Sequence, residues 1–187
     1  MKKYKFTGET KTIYLPFGTV TLHRIKAVVE FGLVKVGDLG GWIEKEENLS
    51  HEENAWVYGD AEVCGNAKVY GNAKVCGNAK VYGDAEVYGD AKVYGDAEVR
   101  GNAWVCGNAW VCGNAKVFST DHVLVIGAIG SRIDFTTFFR DKDNEITVKC
   151  GCFLGKIDKF LEKVTQTHKD TKHTLAYRTA VEVAKLQ

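Results

Sequence analysis

The chain has 187 residues, a formal net charge of +1 from 25 Lys and Arg against 24 Asp and Glu, and 20 glycines but one proline. That length suits one repeat body with small appendages. No apolar run approaches the roughly 20 residues that span a bilayer, and none follows the N-terminal lysines as a secretory signal requires, so a soluble cytoplasmic protein is expected.

The near-neutral total hides an uneven spread. Residues 1 to 41 carry seven basic against three acidic groups, residues 42 to 137 eight against fourteen, and residues 138 to 187 ten against seven. Basic ends around an acidic middle are either ordinary solvated surface or a surface for an anionic partner. Membrane association and nucleic-acid binding are not expected.

Residues 1–41 hold the β-rich runs KYKFTG, TIYLPFGTVTLHRIKAVVEF and GLVKVG. They are expected to form an N-terminal β cap that ends at Gly40-Gly41. From Asn54 the chain then reads NAWVYG, DAEVCG, NAKVYG, NAKVCG, NAKVYG, DAEVYG, DAKVYG, DAEVRG, NAWVCG, NAWVCG and NAKVFS, eleven consecutive units of six. Within each unit Ala and Val alternate with charged or aromatic residues, the period-two pattern of a half-buried strand. The Gly-Asn or Gly-Asp pair that follows tolerates the positive φ of a tight corner. A strand this short buries its face only by stacking on copies of itself.

If three units close one coil, residues three units apart lie above one another at roughly 4.8 Å. The corner columns then read Asn54, Asn72, Asp90, Asn108; Asp60, Asn78, Asp96, Asn114; and Asn66, Asp84, Asn102, with no two aspartates adjacent. The outward column Glu62, Lys80, Glu98, Lys116 alternates in sign, as like-charge repulsion demands. Lys74 under Lys92 breaks that pattern. Ile43 and Leu49 before the array, and Val123, Ile129 and Phe135 after it, occupy apolar slots of the repeat, which extends the predicted helix over 42–135, or roughly five coils. The extension over 136–187 begins with a hairpin, in which FTTFFR (from Phe135) and ITVKCG flank the polar turn DKDNE. Two helical segments follow, with apolar faces Ile157, Phe160, Leu161, Val164 and Leu175, Ala176, Ala180, Val183, Leu186. The expected architecture is mainly β: a parallel β-helix with an N-terminal β cap and a small C-terminal ββαα extension.

The entry segment GDLGGWIEKEENLS, the NAxVYG array, the exit IGSRIDFTTFFR and the tail ITVKCGCFLGKIDKFLEKVTQTH together resemble a group of phage and prophage hexapeptide-repeat proteins, within the trimeric LpxA-like group. The resemblance implies a left-handed parallel β-helix, a homotrimer and a viral or prophage origin. The left hand comes from the resemblance, since left-handed crossovers are otherwise rare.

Hexapeptide acyltransferases, as a family, place a histidine between subunits as general base and interrupt the array with a loop. This array is uninterrupted and contains no histidine; His51 and His122 flank it and read as surface groups. Cys150-Gly151-Cys152 lacks the second cysteine pair of a structural zinc site and reads as packing. Cys64, Cys76, Cys106 and Cys112 stand in the slot otherwise held by tyrosine and read as reduced thiols. No metal, no cofactor and no enzymatic activity are therefore expected. The expected function is that of a homotrimeric phage binding protein, a counter-defence factor that captures a small anionic, nucleotide-like ligand or inhibits a host protein. The alternatives are a hexapeptide-type acyltransferase and a phage structural or scaffold protein.

Two sets of residues carry these expectations. Outward aromatics on one face (Trp56, Tyr58, Tyr94, Trp110) and on another (Tyr70, Tyr88, Trp104) form the candidate oligomer interface. Where the repeat loses its register, Arg132, Thr136, Thr137, Arg140, Lys149, Cys150 and Cys152 form the candidate ligand site, because guanidinium and hydroxyl donors suit anionic oxygens. The alternative role for the arginines is to pair with Asp134 and Asp141.

Overall fold

The computed structural model describes residues 2–16 and 18–187. Met1 and Phe17, the latter in the expected β-rich run, lie outside the described residues. The chain opens with β1 (Tyr4–Leu15), β2 (Gly18–Ala27) and β3 (Leu39–Ile43), followed by two-residue strands at six-residue steps from β4 (Trp56–Val57) to β14 (Lys116–Val117). These stack into three faces. One carries β4, β7 (Lys74–Val75), β10 (Lys92–Val93) and β13 (Trp110–Val111); a second carries β6 (Lys68–Val69), β9 (Glu86–Val87) and β12 (Trp104–Val105). The third carries β5 (Glu62–Val63), β8 (Lys80–Val81), β11 (Glu98–Val99) and β14. Stacked strands run parallel, with Lys92 paired to Lys74 on one side and Trp110 on the other. The result is a parallel β-solenoid of about four turns.

Every Ala and Val of the repeat points inward, and from Ala55 to Val117 none is more than 1 % exposed. Burying each valine stabilises by roughly 1.5–3 kcal/mol, offset by the entropy of ordering the chain. The corners turn because glycine accepts their backbone. Gly71 has φ +70°, and a Cβ there would lie 2.9 Å from the backbone nitrogen of Gly89 in the next coil. The corner amides form ladders: Asn54 Nδ2 donates to Asn72 Oδ1 at 2.9 Å, Asn72 Nδ2 to Asp90 Oδ1 at 3.1 Å, and Asn66 Nδ2 to Asp84 Oδ1 at 3.0 Å. An amide donor beneath each of these carboxylates explains why the corner columns avoid stacked aspartates.

The first coil has no coil beneath it, so its carbonyls need other donors. Lys3, 3 % exposed, donates from Nζ to the carbonyls of Ala55 at 2.7 Å and Glu52 at 3.1 Å. Burial lowers its pKa to about 8. The β1–β2 hairpin joins the third face through β3, giving a seven-stranded sheet of order β1-β2-β3-β5-β8-β11-β14.

At the other end the structure departs from expectation. The solenoid strands stop at Val117, before the expected boundary at 135, because the Gly-Asn corner gives way to Ser119-Thr120 and the chain no longer turns every six residues. Val123, Ile129 and Phe135 instead belong to an antiparallel sheet of order β15-β16-β17-β18, formed by β15 (Val123–Ile129), β16 (Asp134–Arg140), β17 (Ile146–Cys150) and β18 (Phe153–Lys156). The expected hairpin is β16–β17, with Thr137 opposite Lys149 and Thr136 opposite Cys150. Strand alternation sends β16 side chains two ways. Phe139 joins the solenoid core, while Phe138 joins a second core with α1 (Ile157–His168) and α2 (Lys172–Ala184). The buried face of α2 is Thr174, Tyr177, Ala180, Val181 and Ala184, not the expected one: Leu175 is 67 % and Leu186 87 % exposed. The polar Thr174 and the amphipathic Tyr177 hide the true 3/4 stripe.

Candidate functional site

A groove of about 440 Å³ runs along the β4-β7-β10-β13 face. Its floor is formed by Tyr58, Lys74, Lys92 and Trp110, and one side follows the corner column Asn54, Asn72, Asp90 and Asn108. Gly32 and Leu33 close one end, and Asp134, Phe135, Thr137, Lys149 and Gly151 of the C-terminal sheet close the other. The groove therefore exists because two appendages stand at the two ends of one solenoid face.

The same repeat slot holds a tryptophan at each end of this face, with different results. Trp56 is 1 % exposed, packed edge-on against Phe31 with ring centroids 5.3 Å apart and against Tyr4 at 6.1 Å. Trp110 stays in the groove. Its backbone N–H donates to Thr137 Oγ1 at 3.0 Å, and its ring lies 4.1 Å from Lys92 Nζ and 4.8 Å from Lys149 Nζ. Lys149 is 8 % exposed, and its ammonium donates to the carbonyl of Gly151. Among the described residues no carboxylate lies within ion-pair distance of Lys74, Lys92 or Lys149. Such a floor attracts anions and offers an indole as a stacking surface.

Strand alternation splits the candidate ligand set. Thr137 and Lys149 face the groove, whereas Thr136 and Cys150 face the helices: Thr136 Oγ1 donates to Cys150 Sγ at 3.3 Å, and that thiol lies 3.8 Å from the Tyr177 hydroxyl. Burial raises the Tyr177 pKa to about 12. Cys152 is exposed. Arg132 stands beside Gly151. Arg140 points away, donating to the carbonyls of Asn144 at 3.1 Å and Gln187 at 2.8 Å. Asp141 pairs with Lys156 rather than with Arg140.

The candidate interface aromatics also divide. Tyr58 and Trp110 line the groove, Trp56 is buried inside the chain, and Tyr94 is half-buried against the core. On the second face Tyr70 and Tyr88 stack at 4.9 Å, with Tyr70 donating to Glu86 Oε2 at 2.7 Å, and Trp104 is 52 % exposed. Lys74 and Lys92 belong to the site but not to the predicted set. Their stacking, the one breach of the alternating charge pattern, is the signal that marks them.

Burial raises the pKa of the Cys76 and Cys112 thiols under this face, which disfavours the nucleophilic thiolate. His51 stacks on Tyr4 at 4.2 Å and accepts a hydrogen bond from the Lys3 N–H, while His122 Nδ1 accepts one from the Phe118 N–H at 3.3 Å. Neither lines the groove. Among the described residues no group of three or more His, Cys, Asp or Glu is placed to hold a metal ion, and no helix is long and apolar enough to cross a membrane.

No family model matches the chain. It is 39 % identical over 62 residues to a protein of Escherichia coli (strain K12) named "Uncharacterized acetyltransferase YdcK", a match covering 31 % of this chain and 19 % of the relative. The chain thus spans about a fifth of that relative's length. The repeat solenoid and this similarity fit an LpxA-like β-helix. They also overturn the expectation of a protein without enzymatic activity: the relative is named an acetyltransferase, and the missing histidine in the array does not outweigh that finding.

Proposed function

We propose that the chain acts in acyl transfer of the hexapeptide-repeat kind and holds an anionic acyl donor of the coenzyme A class in the groove above Trp110. The observation that carries this reading is the set of three lysines, Lys74, Lys92 and Lys149, that line one groove and, among the described residues, have no carboxylate within ion-pair distance. Acyl donors of this class bear phosphates at one end and a thioester at the other, and the groove runs along four stacked strands, roughly 14 Å at the usual strand spacing. The similarity to a protein named as an acetyltransferase supports the same chemistry. The direct test is calorimetric titration with acetyl-coenzyme A, followed by thiol release in the presence of a panel of amine and hydroxyl acceptors. Binding with acceptor-dependent thiol release is the expected outcome. Neither binding nor release would overturn the reading.

We further infer a homotrimer of phage or prophage origin, on the strength of the whole-chain resemblance. Trp104, the most exposed of the repeat's outward tryptophans, stands on the face that carries neither the groove nor the hairpin. Light scattering on Trp104→Glu tests the subunit contact: a trimer that persists moves it elsewhere. The counter-defence reading, capture of a nucleotide-like anion in an infected cell, draws on the same unpaired lysines. Mass spectrometry of molecules released from protein purified out of infected cells tests it, and recovery of no anion counts against it.

A further inference from the structure

We infer that the C-terminal end of the groove is a seat for a phosphate-class oxyanion, formed jointly by Lys92 and Lys149 at the Trp110 ring. This deepens the acyl-donor reading by assigning the place and chemistry of the donor's anionic group, and to that extent it rests on it.

The seat is built, not incidental. Lys92 comes from the solenoid and Lys149 from β17, and their ammonium groups lie 4.1 Å and 4.8 Å from one indole ring. Lys149 is 8 % exposed, so most of its side chain is packed into the end of the groove. Within the chain its ammonium meets the Gly151 carbonyl and the indole face. Thr137, 1 % exposed, accepts the Trp110 N–H, which leaves its own hydroxyl proton as a donor at the groove wall. Gly151, at φ +54°, lines the same end and brings backbone close without a side chain.

Two carboxylates also line the groove, and neither neutralises the seat. Asp90 accepts from Asn72 Nδ2 at 3.1 Å, and Asp134 accepts from the Phe135 N–H at 2.7 Å. Lys74 stacks directly beneath Lys92 and adds a third positive charge along the floor. Two ammonium groups at one ring, with a hydroxyl bonded to the same residue's backbone, match an oxyanion with several acceptor oxygens better than a lone carboxylate.

Inorganic pyrophosphate is the probe, with acetate as the carboxylate comparison, and binding to the full chain is read by calorimetry and by the shift in melting temperature. Pyrophosphate is expected to bind and acetate not to. Lys92→Gln should weaken pyrophosphate binding about tenfold, the loss of one charge-assisted contact, without lowering the melting temperature of the unliganded protein. Lys80→Gln, on the third face, should bind as the parent does. Since Lys149→Gln risks the fold, Trp110 fluorescence in Lys92→Gln is the second readout, and the pyrophosphate-induced change should shrink in parallel. Pyrophosphate binding equal in Lys92→Gln and the parent overturns the seat. So does acetyl-coenzyme A binding in a protein that ignores pyrophosphate, although acyl transfer then survives. Pyrophosphate binding with the expected lysine dependence, in a protein without acyl transfer, keeps the seat and removes the acyl-transfer reading.

Discussion

Two faces of the solenoid share one backbone, one core and one six-residue unit, yet treat charge in opposite ways. On the third face Lys80 meets Glu62 at 3.3 Å, Lys116 meets Glu98, and Lys11 of the hairpin reaches Glu62 at 2.8 Å. On the groove face Lys74 stacks under Lys92, and among the described residues neither has a carboxylate within ion-pair distance. Stacked like charges cost a few tenths to about 1 kcal/mol, which the third face avoids and the groove face accepts. Inward residues cannot explain the difference, because both faces bury the same Ala and Val. Where one repeat builds both a face that obeys charge alternation and a face that breaks it, the break is what singles out the groove face as the candidate site.

The widest way to break the comparison is to violate the core the two faces share. Val93, adjacent to Lys92 in β10, is fully buried, and Val93→Asp should cost roughly 5 kcal/mol by burying an unpaired carboxylate. Loss of the folded baseline in chemical denaturation is the expected result; an unchanged midpoint would reverse the register of β10. Next is the pair of tryptophans in one slot. Trp56→Ala should cost about 3–4 kcal/mol, because its ring is enclosed by Tyr4 and Phe31. Trp104→Ala, from the exposed face, should change the stability of a single chain by about 0.5 kcal/mol or less. Equal costs would mean that exposure within the chain does not describe the assembled protein.

A smaller effect separates the solenoid from the C-terminal sheet. Asp141, 4 % exposed, anchors the β16–β17 turn: it accepts from Lys156, from the backbone N–H groups of Asp143 and Glu145, and from Thr147. Burial opposes ionisation of Asp141, but these donors outweigh it and hold its carboxyl below the usual carboxylate range. A depressed folded pKa means that the stabilisation is present above the unfolded value, about 3.9, and is lost as pH falls through the lower folded value. Acid should therefore loosen the turn while the Ala and Val core of the solenoid persists. Hydrogen exchange resolved by segment at low pH checks this, and Asp141→Asn, costing about 2 kcal/mol at neutral pH, should remove the acid step. An acid step of full size in that variant would assign it to another group.

The solenoid was legible because its cause is local. Alternating Ala and Val set the strands, Gly-Asn and Gly-Asp set the corners, and the absence of stacked aspartates points to three units per coil from the sequence alone. The C-terminal sheet was less legible because Val123, Ile129 and Phe135 satisfy the repeat's apolar slot by spacing alone; the loss of the corner glycine after Gly113 was the better guide. The structure divides the candidate ligand set for a similar reason. Contiguous residues on a strand point to opposite sides, so Thr137 reaches the groove and Thr136 the helices, and the sequence alone does not say which parity faces the solenoid. Lys74 and Lys92 were visible as a breach of charge alternation but could not be joined to Lys149, which is far away in the chain and is brought in by β17.

The finest test separates the penalty from its use. Lys74→Glu places a carboxylate under Lys92 and converts the groove column to the alternating pattern of the third face. If stacked lysines repel as proposed, the variant should be more stable than the parent by about 0.5 kcal/mol, a small rise in melting temperature that increases at low salt because the charges are partly exposed. The same change puts negative charge into the floor of the groove and engages Lys92, so pyrophosphate binding should weaken by more than in Lys74→Gln, which removes charge without reversing it. Higher stability together with weaker binding would show that the lysine stack is kept for the ligand and not for the fold. A variant that is less stable than the parent, or that binds pyrophosphate equally well, would place the origin of the lysine stack elsewhere and return this face to ordinary solvated surface.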